Sequence, residues 1–534
     1  MDDGPSTAPP ANDRSIGASA VPAQTGTGRS ATQGQDVSHA ARSGAVQVLT
    51  IAGQALLTVT HVLLARLFGR SVFGGYQASL AILEMVTRGG TGGADKGMLR
   101  FVAGHRARGE TDLARRALGS GLRLSLGLSS ALAVSLMLFA RPLSRIAHDP
   151  ALAVGLRFIA PAAVFTGGLY VLMQASLAMK VTRANFIVRG LAEPAFLLLA
   201  GLAAAYVGRS LAHLTLAHVA ASAATFALAL FVVGGVFGRG EIGRSLRSPW
   251  LPGFARFSIP LGGADLLNAV MQRADIVLLT VFLGPNATGV YAASEFISRV
   301  ISNTRYVFDS IAATVFSEAL QLKQTDRLRQ NLTLMTRWVA TVAAPMTVTV
   351  LVLRGDLLAL YGPGFHGGAS ALAILAVGHF VNASLGLCGW ILVAGGHTRL
   401  VLGNMAGGAA VNVAAGLVLI PRLGLAGTAI ASLGSVALQQ VAAVVEVGIT
   451  ERVFPFDGSI LKTLTAAAVA YAAESLVGRQ IAGTAPRVAL VILAGLLAYG
   501  MALGALGLAP EEKRALGALA ERLRKRFARN RLGQ

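Results

Sequence analysis

The hydrophobic positions of this chain form long, nearly uninterrupted runs and do not alternate with polar positions. Runs of roughly twenty apolar residues, each able to cross a hydrocarbon core of about 30 Å as an α-helix, recur along most of its length. They lack the period of two expected of barrel strands and are too long for them. The pattern predicts fourteen transmembrane helices, at about 45–65, 74–94, 120–140, 155–177, 186–207, 211–236, 255–283, 287–315, 334–354, 368–393, 399–419, 425–448, 459–477 and 487–508.

The composition agrees with an all-α polytopic membrane protein. Hydrophobic residues make up 54% and charged residues 13% of the 534 positions, and the mean hydropathy is +0.62; soluble domains carry about 25% charged residues. The single cysteine, Cys388, excludes an internal disulfide or a cysteine cluster. The histidines show no metal-ligand spacing, so neither a metal nor a cofactor is expected.

A short motif, Gly-x4-Gly-x-Tyr-x-Ala-Ser, occurs twice, at 69–79 and 215 positions later at 284–294. Each copy falls between two apolar runs, and six spans separate the copies, so both face the same side of the membrane. The chain is therefore expected to consist of two parallel repeats related by an axis along the membrane normal. The glycines predict a tight turn, and Tyr76 and Tyr291 are expected near the membrane interface as structural anchors.

The charged residues predict the orientation of the chain. There are 46 Lys and Arg against 25 Asp and Glu, a formal net charge of +21. When connections are assigned alternately to the two sides, most cations lie on the side shared by both termini. By the positive-inside rule this side is the cytoplasm, so the basic balance reflects topology and no nucleic-acid partner is expected.

These observations predict six segments along the chain. They are a disordered cytoplasmic tail (1–44), an N-lobe (45–236), a cytoplasmic linker (237–253), a C-lobe (254–450), two further helices (451–508) and a basic cytoplasmic tail (509–534).

Four stretches of the sequence, in the same order, resemble one known family. The stretches 64–79 and 279–294 resemble the hairpin after the first helix of each half in the polysaccharide transporter family, the flippases of O-antigen and other lipid-linked oligosaccharides in the MATE-like MOP superfamily. The stretches 361–365 and 420–429 resemble its loop after the ninth helix and its turn between the eleventh and twelfth. The resemblance covers about 45–450, and the last two spans fit the fourteen-helix version of the family.

Ionisable residues inside the spans are concentrated on spans 2, 7 and 8, which line the central cavity in the family that the chain resembles. Such residues are costly in a membrane and are candidates for function. Arginine suits phosphate because its planar fork donates two parallel hydrogen bonds. The expected phosphate contacts are Arg88, Arg273, Arg299 and Arg305. The acidic residues expected to hold these arginines in place or to carry a coupling proton are Glu84, Asp265, Asp275 and Glu295.

A purely structural role is the alternative for these charges. Glu84/Arg88, Glu295/Arg299 and Arg305/Asp309 are each spaced i,i+4, at which a helix pairs its own charges. The offset of 215 also relates Glu84 to Arg299, which places polar side chains at similar depth in both halves.

The resemblance implies a transporter and not an enzyme. It implies a flippase that moves a polyprenyl-diphosphate-linked oligosaccharide across the bacterial inner membrane by alternating access, for cell-surface polysaccharide biosynthesis. Its partners would be this substrate, membrane lipids and, as candidates, a polysaccharide polymerase and glycosyltransferases. Two alternatives remain open: a MATE-type drug or cation antiporter, which would favour acidic and aromatic cavity residues, and a membrane-embedded glycosyltransferase or polymerase, which would place catalytic acids on large outer loops.

Overall fold

The computed structural model describes residues 28–507 apart from 239 and 482, with side chains from Gly53 onward except at 307, 310 and 485. Within these residues the chain is helices joined by short connections, and they contain no strand. The helices of the first half are α1 (Gly28–Gly90), α2 (Ala94–Gly97), α3 (Ala103–Ala107), α4 (Thr111–Ile146), α5 (Pro150–Ile159), α6 (Ala162–Ala178), α7 (Thr182–Asn185), α8 (Glu193–Val207) and α9 (Leu211–Phe237), with π-helical turns at Met98–Val102 and Phe186–Ala192.

The second half begins after a short helix in the connection between the halves. The helices from there on are α10 (Glu241–Arg247), α11 (Phe254–Gln321), α12 (Thr325–Ala359), α13 (Ala369–Leu385), α14 (Cys388–Ala394), α15 (Thr398–Leu423), α16 (Leu425–Thr450), α17 (Ser459–Gln480) and α18 (Thr484–Leu506), with a 3-10 turn at His366–Gly368 before α13.

The number of spans agrees with the hydrophobic pattern. Eleven helices in the described part of the chain are long and apolar enough to cross a membrane, or twelve if the bent pair α5 and α6 forms one span. Two of these, α1 and α11, are each broken by a glycine with non-helical backbone angles, Gly69 and Gly284. Counting each broken helix as two spans reproduces the fourteen predicted spans, and the predicted all-α polytopic fold is confirmed.

The two glycines of the repeat break their helices in the same way. Gly69 has φ 74° and ψ 167°, and Gly284 has φ 73° and ψ −177°. A side chain at either position would meet nothing within 4 Å, so the backbone conformation selects glycine, because other residues reach this region only with strain. We call the end of the molecule that holds both breaks the hairpin end, and the opposite end, which holds the connection 237–253, the linker end.

Most helix packing lies within one half. In the first half α9 packs on α5, α6 and α8, and α4 packs on α5 and α6. In the second half α13 packs on α11, α12 and α16, and α15 packs on α16. The last two helices, α17 and α18, pack on each other and on α12, where Tyr499 is buried and donates a 2.9 Å hydrogen bond to the carbonyl oxygen of Thr341.

The two motif tyrosines are packed inside the protein and do not lie on its surface, and their expected depth near the membrane interface stays a prediction. Tyr76 and Tyr291 are both fully buried inside the protein. The Tyr76 hydroxyl lies 3.0 Å from Nδ1 of His218, and the Tyr291 hydroxyl donates a 2.9 Å hydrogen bond to Oδ2 of Asp275. A tyrosine can be buried when its hydroxyl finds a polar partner, and in each half the fold supplies one.

Both predicted tails extend beyond the described residues. The expected tail at 1–44 lies outside them as far as position 27, and from Gly28 the backbone belongs to α1. The basic tail at 509–534 lies entirely outside them.

Candidate functional site

A chain of ion pairs joins the two halves within the membrane-spanning region. Arg273 on α11 donates from Nε to Oε2 of Glu84 on α1 at 2.5 Å. The Nη1 atom of the same arginine lies 3.8 Å from Oε2 of Glu295, and Glu295 in turn pairs with Arg299. Two carboxylates therefore hold Arg273, one from each half. Of the four residues linked by these ion pairs, three lie on α11 and Glu84 lies on α1.

Glu84 and Arg299, the residues at the two ends of this series of ion pairs, are more accessible than the two residues between them. The side chains of Glu84 and Arg299 are 38% and 36% exposed, against 21% for Arg273 and 15% for Glu295. Glu84 and Arg299 are also the pair that the 215-residue offset relates. The repeat thus places opposite charges at equivalent positions, and Arg273 and Glu295 connect them.

Arg88 takes part in a second cationic group, within the first half. Its guanidinium carbon lies 4.6 Å from the centre of the Tyr170 ring, and that of Arg189 lies at the same distance from the same ring. Arg189 also pairs with Glu193 at 3.8 Å. A guanidinium over an aromatic face is stabilised by the ring quadrupole, so Tyr170 holds two cations close together without neutralising either.

Arg189 and Tyr170 are not among the site residues that the sequence predicts. Arg189 and Glu193 are spaced i,i+4 inside the predicted span 186–207, and this signal could have found the arginine. The tyrosine offers no such signal, because its position over both guanidiniums depends on how α6 packs against its neighbours.

Arg305 lies apart from the other arginines. Its Nη1 donates to the carbonyl and side-chain oxygens of Asn382 at 3.3 Å and 3.2 Å, and its Nε lies 3.3 Å from Oδ1 of Asp309. Asp309 also accepts a 2.9 Å hydrogen bond from Nε1 of Trp390. These contacts hold α11 against α13 and α14. Such an arrangement is expected if Arg305 and Asp309 have a purely structural role.

The remaining two acids do not join the arginines. Asp275 is buried and accepts hydrogen bonds from the Tyr291 hydroxyl and the Ile276 amide. Asp265 forms an ion pair with Lys96, which follows α1 in the first half. Of the predicted i,i+4 pairs, Glu295/Arg299 and Arg305/Asp309 form, whereas Glu84 pairs with Arg273 in the other half.

An aromatic contact between the halves adjoins the ion-pair chain. The ring of His61 on α1 stacks on Phe296 of α11, with 4.0 Å between the ring centres and an angle of 29°. The guanidinium carbon of Arg299 lies 5.7 Å from the centre of the same phenylalanine ring. A ligand that reaches Arg299 therefore lies beside the partly exposed ring of Phe296, whose other contact is the buried ring of His61 from the first half.

The halves also touch at the linker end. A Cβ atom on Gly93 would collide with the carbonyl oxygen of Ser258, and one on Gly262 would collide with the backbone beside Gly93. The ion pair between Lys96 and Asp265 lies next to this backbone contact. Close approach here needs residues without a side chain, so these glycines bring the turn between α1 and α2 against the first turns of α11 at the linker end.

The connection between the halves is anchored to α4. Arg115 donates from Nε to Oε2 of Glu241 at 2.7 Å, and Arg244 donates to Oε1 of the same carboxylate at 2.7 Å. These hydrogen bonds lower the pKa of Glu241 below its ordinary value, with the Arg115 bond as the largest cause. The linker helix α10 is thus held to the first half by a carboxylate with two guanidinium partners.

Comparison with known families finds one match over most of the membrane region. A family model described as polysaccharide biosynthesis protein matches residues 62–363. The probable flippase AglR of Haloferax volcanii is 27% identical over 288 residues, which are 51% of this chain and 59% of that protein. The aligned part of the chain thus spans about three fifths of the length of this curated relative.

Comparison with solved structures shows the fold. An inward-facing MATE multidrug resistance transporter of the MOP superfamily has a TM-score of 0.63 at 14% identity, covering 76% of this chain and 97% of that one. The lipid II flippase MurJ, in an inward closed conformation, has the same TM-score and identity, covering 86% and 97%. The resemblance inferred from the hairpin motifs is confirmed by these matches.

Proposed function

The chain belongs to the polysaccharide biosynthesis protein family, and from this premise we propose that it is a flippase for a polyprenyl-diphosphate-linked oligosaccharide. It moves this substrate across the bacterial inner membrane by alternating access, for the synthesis of a cell-surface polysaccharide. The observation that carries the proposal is the chain Glu84–Arg273–Glu295–Arg299, because it places two guanidiniums between the halves. An anionic diphosphate cannot cross hydrocarbon without such a polar path.

The phosphate contacts in this proposal are Arg273 and Arg299. Arg299 is the more exposed of the two and is held by one carboxylate only, so it meets the diphosphate first. Arg273 follows, because a phosphate oxygen competes with Glu84 for the same donor at Nε. Arginine gives phosphate two parallel charge-assisted hydrogen bonds, and these are the stronger kind.

The substrate thereby acts on the contact between the halves. Glu84 lies on α1 and Arg273 on α11, so their ion pair is a bridge from one half to the other. When phosphate replaces Glu84 as the partner of Arg273, this bridge opens and the halves are freer to rock. Substrate binding is thereby coupled to movement of the halves, because the substrate binds the state without the Glu84–Arg273 ion pair better than the state with it.

The cluster of Arg88, Arg189 and Tyr170 is proposed to receive the next part of the head group. Its two guanidiniums share one aromatic ring and are only partly balanced by Glu193. A diphosphate carries two anionic groups. The pair Arg273 and Arg299 together with the pair Arg88 and Arg189 offers two cationic groups to match them.

The orientation and partners belong to the same proposal. The excess of Lys and Arg on the side of both termini places the linker end in the cytoplasm and the hairpin end outside. The substrate then enters at the linker end and leaves at the hairpin end. Glycosyltransferases that build the oligosaccharide and a polymerase that uses it are the expected partners, and the chain itself makes and breaks no covalent bond.

Reconstitution into vesicles tests the proposal. Purified protein is inserted into liposomes that contain a fluorescent polyprenyl-diphosphate oligosaccharide, and the fraction of label exposed to a membrane-impermeant quencher is followed over time. We expect protein-dependent exchange between leaflets that is lost in Arg273→Ala and Arg299→Ala and kept in Arg422→Ala, a matched change at an exposed arginine. Exchange equal to that of empty liposomes would overturn the proposal.

The second candidate is a cation antiporter, and one observation favours it. The fold matches a MATE multidrug transporter as well as it matches a flippase, with a TM-score of 0.63 in both cases. The same liposomes separate the two, because an antiporter would accumulate a cationic dye against an imposed proton or sodium gradient. A change in the chemical structure of the labelled lipid during the assay would instead indicate a transferase or polymerase.

A further inference from the structure

A cavity of about 450 Å³ lies between the last turns of α12, the start of α13 and the two C-terminal helices. It is lined by residues near helix ends: Arg354 and Asp356 late in α12, Arg479 late in α17, and Arg487 in the first turn of α18. It is separate from the ion-pair chain between the halves, and no residue of that chain lines it.

The lining carries more positive than negative charge. Arg354, Arg479 and Arg487 face a single carboxylate, Asp356. When successive connections are assigned alternately to the two sides of the membrane, most cations lie on the side of the termini. These three arginines are among the few on the opposite side, at the hairpin end. Three guanidiniums around one carboxylate repel each other unless a further anion joins them. The hydroxyls of Tyr471 and Ser475 add neutral donors to the same cavity.

The arginines keep donor groups free for a ligand. The Nε atom of Arg487 is buried 3.6 Å from Oδ2 of Asp356, so the accessible atoms of this guanidinium are the ones left for a ligand. Arg354 uses one Nη atom on the carbonyl oxygen of Leu351 in its own helix. Among the described residues Arg479 has no hydrogen bond or ion pair.

The position of Arg487 is built into the packing of the two helices. A Cβ atom on Gly478 of α17 would lie 3.7 Å from Nε of Arg487 and 3.5 Å from Val491. The guanidinium thus packs closely against α17 at Gly478 while Asp356 of α12 lies on another side of it. The side chain is 35% exposed, so its remaining face is accessible from the cavity.

The surroundings favour a lipid as the carrier of the anion. The outward faces of α17 and α18 expose large apolar side chains, including Leu476 at 60% and Leu493 at 53%, which acyl chains would cover. The cavity lies where these apolar spans end, and this is the depth of lipid head groups. A phosphate at that depth meets guanidiniums that each offer paired donors.

We propose that this cavity binds the phosphate of an anionic lipid head group, with Arg479, Arg354 and Arg487 as the ligands. A bound lipid holds α17 and α18 against α12 by joining cations from three helices. Asp356, 3.6 Å from Arg487 Nε, opposes the bound anion by its like charge. The site is independent of the substrate site between the halves, and its occupancy does not depend on whether the chain is a flippase.

Native mass spectrometry of the purified full chain in detergent tests the proposal. The probes are dioleoyl phosphatidylglycerol, dioleoyl phosphatidylcholine and inorganic phosphate. We expect the wild type and Arg422→Gln, an exposed arginine at the same end, to bind phosphatidylglycerol alike and in preference to phosphatidylcholine. Arg479→Gln is expected to bind it about tenfold more weakly, as for the loss of one charge-assisted hydrogen bond.

Asp356→Asn is expected to change the affinity for phosphatidylglycerol in the opposite direction to Arg479→Gln. Asp356 is the one carboxylate among the described residues that line the cavity, and its removal is expected to tighten binding of phosphatidylglycerol, whereas a merely structural role would leave binding unchanged or weaken it. Thermal unfolding of each variant confirms that the fold is retained. Equal binding by Arg479→Gln and Arg422→Gln would overturn the site, and displacement of the lipid by millimolar inorganic phosphate would overturn its assignment to a lipid.

Discussion

Gly74 and Gly289, the second glycines of the two motif copies, meet each other where the halves cross at the hairpin end. A Cβ atom on Gly74 would collide with the carbonyl oxygen of Pro285 and lie 2.6 Å from the amide nitrogen of Gly289. A Cβ atom on Gly289 would collide with the carbonyl oxygen of Arg70 and lie 3.1 Å from the amide nitrogen of Gly74. Arg70 and Pro285 are themselves 215 positions apart, so the contact is reciprocal and lies at the axis of the repeat.

This relationship gives the first prediction. Gly289→Ala should force the two backbones apart at the hairpin end, because the neighbouring atoms are backbone and cannot rotate away. The distance between spin labels on cysteines introduced at Arg145 and Arg422, which are exposed and lie in opposite halves, should increase or broaden. Cys388 is buried, so it should react little with the label.

The matched control for that change is Gly127→Ala in α4. A Cβ atom there would meet nothing within 4 Å, and alanine favours a helix by about 1 kcal/mol over glycine. The control should leave the distance unchanged. A Gly289→Ala protein with the wild-type distance distribution would contradict the prediction.

The bridge between Glu84 and Arg273 gives the second prediction. Glu84→Gln removes the one carboxylate that the first half contributes to Arg273, so the halves should separate more readily without substrate. We expect broader inter-half distances in the substrate-free protein and a smaller further change when substrate is added. Double electron–electron resonance with and without the lipid-linked oligosaccharide measures both.

Charge reversal is the control for this bridge. The double variant Glu84→Arg with Arg273→Glu can re-form the pair and should recover the substrate-free distances, although phosphate contact at position 273 is lost. Recovery of transport as well as distance by the double variant would contradict the role of Arg273 as a phosphate ligand.

Tyr170 gives the third prediction. Tyr170→Phe keeps the ring between Arg88 and Arg189, and it should leave the apparent affinity for substrate within about threefold of wild type. Tyr170→Leu removes the ring and should raise the substrate concentration for half-maximal exchange by about tenfold, because two cation–π contacts of about 0.7 kcal/mol each are lost. The rate of lipid exchange at several substrate densities separates the two variants. Equal behaviour of phenylalanine and leucine would contradict it.

Glu241 gives the fourth prediction, which concerns pH. Arg115 and Arg244 lower its pKa from the ordinary 4.5. A lowered pKa means that the contact is complete above pH 4.5 and is lost as the pH falls through the lower folded value. A spin label on a cysteine at Gly243, where a side chain meets nothing within 4 Å, should therefore keep its mobility from pH 7 to about pH 5 and become more mobile in stronger acid. With Glu241→Gln the label should be mobile throughout, and a pH response retained in that variant would assign the titration to another group.

The contact in the site that the sequence predicted correctly is one between residues close together on the same helix. Glu295 and Arg299 are one helical turn apart, and they form the pair that the i,i+4 rule predicts. Glu84 and Arg88 have the same spacing, but Glu84 pairs with a residue 189 positions away. The difference is a matter of packing, because α11 brings Arg273 to within hydrogen-bond distance of Glu84.

The buried motif tyrosines show the same limit. The sequence identified Tyr76 and Tyr291 as equivalent residues in two halves, and both are buried in equivalent ways. It did not predict their burial, because the partners that permit burial are not part of the motif. His218 is 142 positions from Tyr76, and Asp275 is 16 positions from Tyr291 on the preceding span.

By itself the sequence determined that this is an all-α membrane protein, where its spans lie and where two glycines break the chain, since hydrophobic run length and backbone freedom are properties of neighbouring residues. Only the tertiary structure decided which charges meet. Arg273 bridges the halves, Arg305 is fixed within one of them, and Arg189 joins Arg88 across a tyrosine. Ion pairs and ring contacts act over a few ångströms, and the helices that supply their members are brought together by packing.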